Sequence, residues 1–498
     1  MRKYMFLCLM LVSALVNAQR YSELWGKNGE KWDPAGRLPD FSYAGYHQGE
    51  KAIPEVDIVA NVKDFGAKGN GLFDDTEAFK KAIAQTENGA ILIPEGIYRI
   101  TDFLEIRKSN LVLRGEGHQK TILYFPVYLN DIEPDWGSTT EGRPTSNYSW
   151  SDGFIRVFGN YGQNNLTSVD PGAKRGDYQF EVSEIDELNP GDWVTVKVSD
   201  PGDYSLFNYL YTEDPASMDR WNRPGGTSQV MKIENIKGKT VTFNRPLRFD
   251  LRAAWSPELT TYQPEVQEVG IENLAFEYPV KPYEGHFSEL GYNALAFGNV
   301  ANCWVKNIRI KNCDSGIFLS GNFCTLDGVI YESERTADPN RLASGHHGIY
   351  ITDQDNLFTN FVFKTRFVHD ITVSHCAGNV ISNGGGVDLS LDHHKKAPYA
   401  NLFTNLNLGV GSQMFRSGGG RELGRHSAGY ETFWNIDAIE NQQWPEGWGP
   451  NSMNLVGLKT NQASILNEDG KWFEAISPLK LFPQNLHQAQ LEKRLENK

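Results

Sequence analysis

From residue 265 onward, apolar residues fall in short runs alternating with polar ones, the period-two pattern of a strand with one buried face. Five of these runs share an opening: Glu272-Asn273-Leu-Ala-Phe, Lys306-Asn307-Ile-Arg-Ile, Asp327-Gly328-Val-Ile-Tyr, Thr359-Asn360-Phe-Val-Phe and Thr404-Asn405-Leu-Asn-Leu. Their starts are 34, 21, 32 and 45 residues apart. A spacing of 21 reads as one bare coil, 45 as two, and 32 or 34 as one coil carrying a loop such as the polar stretch Glu332 to Ser344. A second strand follows most of them, in Tyr292-Asn-Ala-Leu-Ala-Phe, Ser315-Gly-Ile-Phe-Leu, His347-Gly-Ile-Tyr-Ile and His369-Asp-Ile-Thr-Val. Such repetition predicts a solenoid whose inward side chains stack from coil to coil. Asn273, Asn307, Asn360 and Asn405 then form a ladder at one corner, where amides satisfy the backbone groups of the turns. In this register Cys303 falls on Cys324, as stacked buried thiols or as a disulfide.

The N-terminal half is punctuated differently. A strand and Gly-rich turn at Asn61-Val-Lys-Asp-Phe-Gly-Ala-Lys-Gly-Asn-Gly lead to Asp75-Thr76, in N-cap position before an amphipathic helix. Two further strand-and-turn segments follow, Ala90-Ile-Leu-Ile-Pro-Glu-Gly-Ile-Tyr and Asn110-Leu-Val-Leu-Arg-Gly-Glu-Gly. In these motifs, over roughly Val62 to Gly117, the chain resembles the pectate-lyase superfamily with its rhamnogalacturonase/epimerase-like N-terminal motif. The resemblance implies an all-β, single-stranded right-handed parallel β-helix with an N-terminal capping α-helix. It leaves the reaction open, because that superfamily includes lyases, hydrolases, epimerases and phage tailspikes.

Between 152 and 264 the repeat is lost, and Pro190-Gly-Asp-Trp-Val-Thr-Val and Lys237-Gly-Lys-Thr-Val-Thr-Phe predict inserted antiparallel hairpins. The expected organisation is a signal peptide (1–18), an N-terminal extension (19–57), first coils with the cap (58–151), the inserted region (152–264), main coils with the active face (265–480) and a tail (481–498). The inserted loop around Tyr204 to Arg223, with Tyr209, Tyr211 and Trp221, is expected to wall a cleft or to face solvent as padding.

Composition narrows the functional classes. Met1-Arg2-Lys3, the apolar run from Met5 to Val16 and the small residues Asn17-Ala18 have the order of a cleavable secretory signal, which predicts a secreted or periplasmic protein. Cys8 reads as filler in that run, with a lipid-anchored cysteine as the alternative. The run is too short to span a bilayer, and nothing later is longer and as apolar. The net charge of −14 argues against nucleic acid as a partner, although a local cleft can still be basic. An aromatic content of 12% suits a surface on which sugar rings stack. Beyond the signal remain Cys303, Cys313, Cys324 and Cys376, too few for a disulfide scaffold and without paired zinc spacing.

Because the core of such a solenoid is apolar, its chemistry belongs on outward positions aligned between coils. His347 and His369 are equivalent positions one coil apart, on strands about 4.8 Å from each other. Lys364 and Arg366 share the outer face opposite Phe361 and Phe363. The next coil, Asn383-Gly-Gly-Gly-Val-Asp-Leu-Ser-Leu-Asp-His-His-Lys-Lys, brings Asp388, Asp392 and His393 toward the histidine pair in either of two registers. One sets Asp388 beside Asp370; the other, with Asn383 on the ladder, sets Asp392 beside His369. Arg416 and Arg421 on a Gly-rich loop, with Lys395, are candidate substrate cations, and Trp221 and Trp448 are candidate stacking rings. Blander readings stand beside these. His346-His347 is a turn pair, Lys364 and Arg366 a solvated stripe, His393-His394-Lys395-Lys396 a polar turn, and the tryptophans loop packing.

Two reactions compete. β-Elimination removes a proton next to a uronate carboxylate and needs a base beside a cation that neutralises the carboxylate; His347, His369, Lys364, Arg366 and Arg416 provide that set. Hydrolysis needs two carboxylates at suitable separation, which Asp370, Asp388 and Asp392 would supply. Polygalacturonase-type hydrolases of this fold carry Asn-Thr-Asp, Asp-Asp, Gly-His-Gly and Arg-Ile-Lys in order. Here Arg309-Ile-Lys311 precedes Ser344-Gly-His-His-Gly348, and the first two motifs are missing upstream. Asp353, Asp355, Asp388 and Asp392 offer hard oxygen ligands for Ca2+, or are simply solvated acids. The sequence therefore favours a secreted lyase acting on a uronate-containing polysaccharide, with a glycoside hydrolase and a non-catalytic carbohydrate-binding β-helix as alternatives.

Overall fold

The computed structural model describes residues 19–139, 141–222 and 225–496. The expected signal segment and Arg223 lie outside the described residues. Among the described residues, no helix is long and apolar enough to cross a membrane.

The repeating runs fold into a right-handed parallel β-helix. One sheet, the site sheet, contains β1 (Asn293–Ala301), β2 (Ser315–Asn322), β3 (His347–Gln354), β4 (His369–Ala377) and β5 (Leu391–His393), each hydrogen-bonded in parallel to the next. A larger sheet takes the other strand of each coil, including Trp304–Lys311, Thr325–Glu332, Val380–Gly386, Leu402–Asn407 and Thr432–Asp437. Strand alternation sends every second residue inward. Leu295, Ile317, Ile349, Ile371 and Leu391 therefore stack in one buried column from β1 to β5. Each such side chain contributes about 1.5–3 kcal/mol by burial, so the column fixes the register of everything on the outer face.

Two asparagine ladders mark the corners. Asn273, Asn307, Asn360 and Asn405 all adopt left-handed backbone, joined by Asn383 and Asn435. Their amides bond coil to coil, Asn307 to Asn273 at 2.7 Å and Asn405 to Asn383 at 2.9 Å. A second ladder is buried: Asn356, Asn379 and Asn401 hydrogen-bond in series and end on Glu431. Cys303, Cys313, Cys324 and Cys376 are buried free thiols.

The helix α1 (Thr76–Gln85) buries Phe79, Ala82 and Ile83 over the first coils. Asp75 does not cap it in the expected way. Its carboxylate turns back to the Gly-rich turn and accepts from the Lys68 and Gly69 N–H groups, while Asp74 accepts from Thr76 N–H.

The insertion starts later than 152, because Ile155–Phe158 is a strand of the site sheet paired with Leu295–Gly298. Beyond it a six-stranded antiparallel sheet has its own core, with Val194, Val196, Met231, Ile233 and Phe243. That unit is clamped to the helix by Arg245 and Arg248, both paired with buried Asp355. The N-terminal extension and the terminal helix α2 (Leu486–Glu496) pack together on the larger sheet through Trp25, Phe41, Val380, Leu402, Trp434 and Leu486.

Candidate active site

The first residues of β3 and β4 are His347 and His369, paired directly across the sheet with ring centroids 5.0 Å apart. His346 precedes the strand and meets His286, from the loop 282–289, with their Nε2 atoms 2.8 Å apart. On the third coil the pleat alternates: Leu391 points in, Asp392 out, His393 in. The register sets Tyr350, Thr372 and Asp392 in one outward row, with Asn383 on the corner ladder, so the second of the two anticipated registers is the one formed.

Asp392 is the hub of the site. Fully buried, it accepts from Gly418 N–H (2.7 Å), Thr372 Oγ1 (3.2 Å) and His394 Nδ1 (2.8 Å). His369 Nδ1 lies 3.1 Å from Oδ2, off the line of a good hydrogen bond. Burial pushes the Asp392 carboxyl up, but the imidazoles of His369 and His394 outweigh it and hold the group well below the usual carboxylate range. Burial in turn holds His346 and His347 well below the ordinary histidine value, and lowers His286 to about 3. Asp392 is thus the ionised member of the cluster.

Gly418 is required by close approach. A Cβ there would lie 2.5 Å from His394 Cε1 and 2.8 Å from His369 Cε1. The Gly-rich loop therefore closes over the imidazoles and brings Arg416 with it. Burial, and the neighbouring Arg341 and Arg366, lower the Arg416 value; the three guanidiniums share one edge of the site. Tyr350, half-buried, has its ring 5.2 Å from that of His347 and 6.1 Å from that of His394. Burial raises its hydroxyl to about 12.

Other residues singled out from the sequence fall elsewhere. His393 turns inward, where Nε2 meets Glu431 at 2.7 Å and the ring packs on Trp448. It anchors the buried ladder and does not reach the outer face. Lys364 and Arg366 do not share a face, because the strand ends at Phe363 and the chain turns. Lys364 joins an ion row with Glu332, Arg309 and Glu277 on the larger sheet, while Arg366 points to Asp388 at 3.7 Å. Asp388 accepts from Ser412 N–H and Oγ. Asp370 accepts from Phe367 and Ser390 N–H groups, and burial raises it to about 6. Both acids shape turns. Trp221 and Trp448 are only 5% and 7% exposed and offer no ring face to a sugar. Arg421 is exposed on the Gly-rich loop and Lys395 is half-buried beneath it.

Of the acids considered for Ca2+, Asp355 is held by two arginines, Asp388 by Ser412 and Asp392 by the imidazoles. Among the described residues, the groups able to hold a metal are His286, His346 and His369, and His369, Asp392 and His394. Five of the eleven histidines of the chain converge here. His286 carries no repeat signal and is invisible to coil alignment; His346 and His394 are the turn residues of the blander readings. A cavity of about 610 Å³ opens at the other end of β3 and β4, between Asp353, His375, Tyr399 and the inserted unit's Phe207, Leu210 and Thr227. The inserted unit thus walls a cleft with its apolar residues.

Residues 59–131 match the family model described as rhamnogalacturonase A/epimerase, pectate lyase-like. Over that segment the chain is similar to the pectate lyase-like family. The match ends before His286, so it covers the cap and first coils and none of the histidine site. Alginate lyase 7 of Azotobacter vinelandii is 31% identical over 142 residues, 25% of this chain and 16% of that protein. Plasmin and fibronectin-binding protein A of Streptococcus pneumoniae is 29% identical over 118 residues, 21% and 16% of the two chains. The matched segments thus span about a sixth of these relatives' length. Among solved structures, the tailspike protein gp49 of Pseudomonas phage LKA1 superimposes with a TM-score of 0.47 at 12% identity, covering 80% of this chain and 64% of its own.

Proposed function

We propose that this pectate lyase-like protein is a secreted polysaccharide lyase that cleaves a uronate-containing polymer by β-elimination. The observation that carries the reading is His394, 27% exposed, with Nδ1 bonded to the buried Asp392 carboxylate, beside the edge where Arg341, Arg366 and Arg416 gather. In the reaction, Arg416 neutralises the substrate carboxylate and so acidifies the adjacent C–H bond. His394 takes that proton as the sugar–oxygen bond on the next carbon breaks, and Asp392 stabilises the imidazolium. In this reading Tyr350, whose ring lies 6.1 Å from that of His394, protonates the departing oxygen, and His347 and His369 support the base. A carboxylate pair for hydrolysis is less well supplied, since Asp370 and Asp388 are committed to backbone N–H groups. The partial likeness to an alginate lyase is in keeping with elimination, and the charged and apolar N-terminal run with secretion.

Incubation with uronic-acid polymers tests the proposal by the ultraviolet absorbance of an unsaturated uronate. Reducing ends without that absorbance would favour hydrolysis, and binding without either product would make the protein a carbohydrate-binding β-helix.

A further inference from the structure

We infer that His286, His346 and His369 form a three-imidazole site for a divalent transition-metal ion of the zinc type. One nitrogen from each ring lies within 4.8 Å of the others, and the closest pair, Nε2 of His286 and of His346, is 2.8 Å apart. A tetrahedral ion with metal–nitrogen bonds of about 2.0–2.1 Å separates its ligands by about 3.3 Å. The His286–His346 pair needs to open by about half an ångström to receive it, and the His369 nitrogen, within 4.8 Å of both, to close by at most about 1.5 Å.

The outer contacts point the same way. Metal-bound histidines are generally oriented by a carboxylate on the second ring nitrogen. Here Asp392 Oδ2 lies 3.1 Å from His369 Nδ1, and Glu289 Oε1 lies 3.6 Å from His346 Nδ1. Both of these buried Nδ1 atoms, and Glu289 Oε2, lack a hydrogen-bond partner of good geometry. Proton counting explains why. A contact between two Nε2 atoms holds one proton, so if His346 supplies it, a bare Nδ1 lone pair faces a carboxylate. A cation at the Nε2 atoms accepts the lone pairs there and leaves each Nδ1 protonated toward its carboxylate, which removes the conflict. Three nitrogen ligands suit zinc, cobalt or nickel, whereas calcium requires six to eight oxygens. His286 is the partly exposed member of the three. Only the ion's role there, as a second cation for the substrate carboxylate, rests on the elimination reading; the site itself does not.

The test is cobalt binding to the chelator-stripped full chain, read by the visible absorption of tetrahedral Co2+ and by metal content. The wild type takes up one ion per chain with that spectrum. His286→Ala, on a surface loop and checked for an unchanged thermal melt, weakens binding at least 100-fold; Glu289→Gln weakens it about 10-fold to 100-fold. His394→Ala binds cobalt as the wild type does. No uptake by the wild type, uptake unaffected by His286→Ala, or loss in His394→Ala overturns the assignment. Cobalt bound without elimination activity sinks the lyase reading alone, and elimination by a chain that binds no metal sinks this one alone.

Discussion

Replacing Asp392 by Asn tests the centre of the site. The change preserves shape but removes the charge and turns one of two acceptor oxygens into a donor. Asp392 now accepts from Gly418 N–H on Oδ1 and from Thr372 and His394 on Oδ2. An amide can face only one of these sides with its oxygen, so either the loop N–H or the imidazole N–H is left against an NH2 group. A buried donor without a partner costs about 1–3 kcal/mol, and loss of the neighbouring charge interactions brings the expected destabilisation to about 2–4 kcal/mol. In catalysis the charge-assisted bond that stabilises the His394 imidazolium is worth about 3–4 kcal/mol, which corresponds to a fall in kcat of about 100-fold to 1000-fold. Urea unfolding measures the first quantity, and initial rates of unsaturated-uronate formation on a uronate polymer measure the second. KM should move less than about threefold, since Asp392 is buried behind the imidazoles and the substrate-facing cations are untouched. A folded Asp392→Asn protein with kcat within tenfold of wild type would refute the role of Asp392 in orienting the base.

Gly418→Ala places a methyl group against His394 and His369; it should cost about 1–3 kcal/mol of stability by overpacking and lower activity while far-ultraviolet circular dichroism stays unchanged. Arg416→Ala should raise KM for a uronate polymer at least tenfold and leave binding of the same polymer with its carboxylates reduced to alcohols unaffected, as isothermal calorimetry would show. His487, buried in the first turn of α2, is held at about 4 by burial and by Arg494, against the bond to the Ala44 backbone. Its folded value lies below its unfolded one, so the unfolded chain binds the extra proton. Stability should therefore fall by about 3 kcal/mol between pH 6.5 and pH 4 from this group, and His487→Gln should flatten that slope in denaturant titrations.

The repeat was readable from the sequence because burial in a solenoid is periodic. Each coil spends its apolar side chains on the same inward positions, so the Asn273, Asn307, Asn360 and Asn405 corner and the pairing of His347 with His369 followed from spacing alone. The cap and first coils were readable for a related reason: tight turns and a short helix demand glycine and polar residues at particular offsets. What spacing left open was the parity of one coil. Asp392, His393 and His394 are consecutive, and a slip of one residue exchanges the inward and outward sides of a strand. Contact of Leu391 with Ile371 decided it, sending His393 to Glu431 and leaving Asp392 and His394 on the face with chemistry. Residues off the repeat were equally beyond reach. His286 arrives from a loop, Lys364 and Arg366 part company at a corner, and Trp221 and Trp448 sink into packing that no periodicity describes. The sequence by itself determined the helix and the strip of coils that carries the site. Only the tertiary structure decided which side chains meet there, because that depends on contacts between segments whose separation along the chain obeys no period.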